Sequence, residues 1–159
     1  MSILRSVLVG TVAGAVGTAA LNVATYADMV ARARPASETP SEFVKKVAVD
    51  NGIEPLAGDD DAAKNRRSGT GALLGYANGL GVGFAYGALR PALRGVPLVL
   101  AALAAGGAAM ALSDVPLVRA GVTDPSTWET SDWLADAIPH ALFGLALAVT
   151  FDALDTPGD

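Results

Sequence analysis

The sequence holds a single histidine, and it stands in the stretch DWLADAIPHALFG four residues after Asp136 and eight after Asp132. Residues four apart share one ridge of a helix, so a helical reading places Asp132, Asp136 and His140 in a row that continues through Gly144, Ala148 and Asp152. A histidine beside a carboxylate can exchange protons near neutral pH. Pro139 has no N–H to offer the carbonyl of Ala135, which predicts a kink and a spare acceptor between the two ionisable groups.

Other polar residues punctuate long apolar runs: Asn22, Tyr26, Asn78 and Asp114. With Asp136 and His140 they form a candidate intramembrane polar site, since ionisable groups in a bilayer turn toward protein or a wet cavity. Three roles compete there. The group is a hydrogen-bonded clamp fixing helix register, a proton or small-solute pathway, or a seat for a lipid or quinone head group or a partner helix. The chain has no cysteine, and one histidine with scattered aspartates does not make a metal site. No metal, no cofactor and no catalytic residue is therefore expected. Ser113 and Ser131 lack a base in any local motif, so the chain reads as a non-enzyme.

The elements that must carry these residues are apolar. The 159 residues are 52% hydrophobic and 17% charged, with 18 glycines and a net charge of −5. Globular proteins carry about 25% charged residues, and the charges here gather in connecting segments. Basic residues are few and offset by acids, so no nucleic-acid partner is expected. Four stretches approach the roughly 20 residues that cross a bilayer, at about 3–26, 69–89, 96–113 and 133–151. The first has the order of a signal peptide, Arg5 before an apolar run, but its length and glycines favour a retained helix.

GALLGYANGLGVGFAYG places Gly71, Gly75, Gly79, Gly83 and Gly87 at every fourth position. Helices in lipid associate through close backbone approach, which small residues at this spacing allow. Gly10 and Gly14 repeat the pattern in the first helix, Ala102 and Gly106 in the third, and Gly144 in the fourth. Trp128 and Trp133 flank the start of the last helix as interface anchors. The predicted fold class is all-α: a single integral membrane domain over residues 1–159, a four-helix transmembrane bundle with glycine-rich packing.

The polar loop at about 30–68 contains TPSEFVKKVAVDNG. Thr39 as N-cap, Pro40 in the first turn and Glu42 completing a capping box predict a short amphipathic helix, with Phe43, Val44, Val47 and Ala48 on one face and Gly52 as its stop. LRPALRGVP predicts a tight connection between the second and third helices. Thr130 or Ser131 is the expected cap of the fourth. The side with the longer loops carries Arg32, Arg34, Lys45, Lys46, Lys64, Arg66, Arg67 and Arg119, against Arg5, Arg90 and Arg94 opposite. By the positive-inside rule the longer loops are cytoplasmic.

RPASETPSEFVKKVA, NRRSGTGALLGY and DPSTWETSDWLADAIPHALFG together resemble small uncharacterised bacterial integral membrane proteins, the last stretch being distantly similar to the YagU-like inner-membrane family. The resemblance implies a multi-pass protein of the bacterial cytoplasmic membrane and marks Asp136, Pro139 and His140, without implying a reaction. The expected function is a structural or accessory membrane component in contact with the lipid bilayer. It would be a subunit with a membrane-protein partner or a homo-oligomer. A small proton-coupled channel or transporter using the Asp/His site is the alternative.

Overall fold

The computed structural model describes residues 2–155; Met1 and residues 156–159 of the expected domain lie outside it. Among the described residues the chain is helical, without strands. Its elements are α1 (Ile3–Arg32), α2 (Thr39–Asp50), α3 (Glu54–Ala57), α4 (Asp61–Leu89), α5 (Leu98–Arg119) and α6 (Thr130–Leu154), with a single 3-10 turn at Pro125–Thr127. The four long helices run up and down. One end gathers the start of α1, the 90–97 connection and the end of α6; the other gathers the two longer connections.

Three of these helices, α1, α5 and α6, are long and apolar enough to cross a membrane. The expected fourth span lies in α4 and falls short on composition. Its glycines add almost no hydrophobicity, and Tyr76, Asn78 and Tyr86 subtract from it. The helices also extend past their apolar runs. α1 reaches Arg32 rather than 26, α4 begins at Asp61 rather than 69, α5 covers 98–119 rather than 96–113, and α6 covers 130–154 rather than 133–151. Polar residues prolong a helix wherever a cap holds its end. Asp60 caps α4 by accepting from the Ala63 N–H at 2.9 Å.

α1 is packed between α4 and α6, and α6 also packs on α5, while α4 and α5 meet sparingly. In the α1–α4 seam a Cβ built on Gly83 would lie 2.7 Å from the Cα of Gly14, and one on Gly87 would lie 3.0 Å from the Cα of Gly10. A Cβ on Gly144 would lie 2.7 Å from the backbone nitrogen of Gly106, in the α5–α6 seam. Carbon atoms rest at about 3.5–4.0 Å, so these contacts admit no side chain. Gly75 departs from the expected row, because nothing lies within 4 Å of its Cβ position. The α1–α4 approach ends at Thr18 and Gly79, and Gly71 meets Pro40 of α2 instead. The core joins the helices through Phe143, Leu147 and Phe151, each at most 1% exposed, with Ala13, Val82, Ala105 and Ala109. Phe143 lies against Gly17 and Gly79, whose missing side chains leave room for its ring.

α2 buries Val44 and Ala48 against the first turns of α4, while Val47 stays 39% exposed. Its N-cap is Glu38 rather than Thr39, and no side-chain cap or capping box forms. Pro40 still occupies the first turn, and the Ser37 hydroxyl, paired with Thr39 at 3.0 Å, competes for the threonine side chain. A capping box forms instead at α6, where Glu129 is the N-cap and Asp132 its reciprocal partner, displacing the expected Thr130 or Ser131. Arg67, 4% exposed, donates to the carbonyls of Leu56 and Gly58 at 2.9 and 2.5 Å. Lys45 pairs with Asp59 at 2.6 Å. The first loop is thus a folded unit on the start of α4.

Candidate functional site

Pro139 lies inside α6 and is buried. One residue on, the His140 Nδ1 sits 2.9 Å from the Asp136 carbonyl oxygen and 3.2 Å from Asp136 Oδ1. A carbonyl only accepts, so Nδ1 donates to it. His140 is 9% exposed and lies about 15 Å along α6 at 1.5 Å per residue. Its own carbonyl abuts Gly106 of α5, where a Cβ would lie 2.5 Å away. The glycine lets α5 approach, and the approach carries a further acid inward.

That acid is Asp114. Its carboxyl lies close enough to Asp136 and His140 to interact with both electrostatically. Asp136 Oδ2 is buried without a hydrogen-bond partner. Asp114, Asp136 and His140 therefore form one cluster between α5 and α6. Pro116 stands inside α5 as Pro139 stands inside α6.

The remaining expected members do not join it. Asn78 donates across the sparse α4–α5 seam to the Ala109 carbonyl at 2.9 Å and the Ser113 hydroxyl at 2.8 Å. Its α4 position faces α5 rather than His140. Tyr26 is 60% exposed, about two turns beyond Thr18, the last buried residue of α1. Asn22 is half-buried and makes no side-chain hydrogen bond among the described residues. Among the described residues no group of three or more acids or histidines is placed to hold a metal.

Beside the cluster, a groove of about 420 Å³ runs along α5. Gly107, Met110, Ala111, Val115 and Val118 form its apolar length, and Asp114 opens into it. Trp128 and Trp133 close its outer end with ring centroids 4.9 Å apart. The Trp128 indole N–H donates to the Thr123 hydroxyl at 2.9 Å, which fixes the ring. The two tryptophans are thus a packed pair as well as residues at the helix start.

A second polar group, not anticipated, closes the opposite end. Arg90 pairs with Asp152 at 3.6 Å and donates to the carbonyls of Leu93 and Val96 at 2.7 and 3.1 Å. The partners Arg90 and Asp152 are distant in the chain and share no motif, so only the helix arrangement reveals them. The Ser113 hydroxyl, a nucleophile only if a base stood beside it, serves as a hydrogen-bond partner of Asn78. No family model matches the chain, and neither a curated protein nor a solved structure matches it significantly. The similarity to the YagU-like family rests on the last of the three sequence segments alone.

Proposed function

We propose that the chain is a multi-pass integral protein of the bacterial cytoplasmic membrane with four spans, α4 supplying the fourth through its apolar part at about 69–89. In this reading it is a non-enzymatic structural or accessory component. The observation that carries the reading is the inversion of the surface: Leu4, Leu8, Leu73, Val99, Leu103 and Leu134 are each more than half exposed, while Asp136, His140 and Asn78 turn inward. Apolar side chains of this size all around a bundle call for lipid rather than water. The glycine contacts support a membrane fold as well, since close backbone packing replaces the hydrophobic drive that lipid removes. The positive balance favours longer loops on the cytoplasmic side.

Membranes from expressing cells washed in alkaline carbonate test this. The protein should stay in the pellet and come out only with detergent, as a particle whose mass includes either further copies or a reproducible membrane-protein companion. Release by carbonate alone would end the membrane reading, and a bare monomer would end the accessory one.

A second reading, proton-linked passage of a small solute, is favoured by the Asp114–Asp136–His140 cluster. Reconstituted in liposomes under a pH gradient, the protein would then carry a proton flux that His140→Ala abolishes without unfolding it. Flux unchanged by that substitution would remove this reading.

A further inference from the structure

We propose that the groove along α5 binds a lipophilic organic cation, with the positive centre on Asp114 and the apolar body against Met110, Val115, Trp128 and Trp133. The proposal rests on the membrane placement argued above but not on an accessory or transport role. At about 420 Å³, the groove falls within the roughly 300–1,000 Å³ range of small-molecule sites.

Charge selects the occupant. Asp114 forms no ion pair with a lysine or arginine among the described residues, and the group it faces on α6 is a second carboxyl, Asp136, with His140 beyond. Arg119 also lines the groove, at its exposed outer end, about 7 Å from Asp114 along the axis at 1.5 Å per residue. In the apolar part of the groove a ligand therefore meets carboxylate. The tryptophan pair adds a second attraction for the same sign, since indole faces draw cations within about 6 Å of the ring. Acid and aromatic rings come from different elements and point to one ligand class.

The chain has two tryptophans and both line this groove, so intrinsic tryptophan fluorescence reports on it alone. The purified detergent-solubilised protein is titrated with tetraphenylphosphonium at pH 8, and with tetraphenylborate, which has the same shape and the opposite charge. The cation should quench the emission saturably, and Asp114→Asn should weaken its binding about tenfold through loss of the counter-charge. Ala111→Phe, which fills the exposed floor of the groove, should also abolish saturation with the fold intact. It supplies the answer if Asp114→Asn does not fold. Absence of saturable quenching, equal binding of the anion, or quenching unchanged in both variants would overturn the proposal. Carbonate extraction tests membrane placement separately, so a failure there and a failure of the binding curve are distinguishable.

Discussion

Replacing Gly83 by alanine adds one methyl group to the narrowest part of the α1–α4 seam. That carbon would stand 2.7 Å from the Gly14 Cα and 2.9 Å from its nitrogen, and would press into the Gly10 carbonyl oxygen. All three obstacles are backbone and cannot rotate aside. Restoring ordinary contact near 3.5–4.0 Å requires the helices to part by about 1 Å. Overpacking of this kind costs about 1–3 kcal/mol, and the helix propensity of alanine over glycine returns up to about 1 kcal/mol. The expected net loss is about 1–2 kcal/mol, or roughly 5–30-fold in the folded-to-unfolded ratio. Gly81→Ala on the same helix meets nothing within 4 Å and should be neutral or slightly stabilising. Equilibrium unfolding in mixed micelles compares the two directly. If Gly83→Ala unfolds at the same denaturant as Gly81→Ala, the seam is not held by backbone contact.

Asn78→Leu removes both side-chain bonds from α4 to α5 and should lower stability by about 0.5–2 kcal/mol, the range of hydrogen bonds between membrane helices, while Tyr26→Phe, on an exposed residue, should leave the same unfolding curve unmoved. The Ala63 N–H bond to Asp60 holds that carboxyl below its ordinary value of 3.8. Its capping contribution is therefore fully present above pH 3.8 and disappears as pH falls through the lower folded value. The Ala63 amide resonance should titrate with a midpoint below 3.8, and Asp60→Asn should remove that titration; a midpoint at or above 3.8 would contradict the cap. His140→Ala removes a buried ring and its bond to the Asp136 carbonyl, for an expected loss of about 1–3 kcal/mol in thermal unfolding.

The helices were legible because their apolar runs and breakers are local signals, and Gly10, Gly14, Gly83 and Gly87 lie at a spacing that brings them to one face. Their ends were not. Arg32 and Arg34 both reach back to Asp28, at 2.7 and 2.6 Å, and hold a last helical turn that hydropathy alone would leave out. Gly75 shares the periodicity of its neighbours but sits past the point where α1 and α4 diverge, and divergence depends on the crossing of two helices rather than on either sequence. Asp136 and His140 were visible as a pair four apart. The inclusion of Asp114 and the exclusion of Tyr26 depend on which helices become neighbours, and helix order fixes that.

The uneven seams give the bundle the mechanics of a hinged book. α1 and α6, joined along their length with Phe143 between them, form the spine; α4 and α5 are the free edges, with Asn78 as their clasp. The softest motion of such an object spreads α4 from α5 while the glycine-lined hinge side stays shut, because few side chains must separate there. Arg90, tied to Asp152 and to the 90–97 connection, staples one end of those edges. Spreading is therefore widest at the opposite end, and the α4–α5 edge would unzip from the level of Ser113 outward.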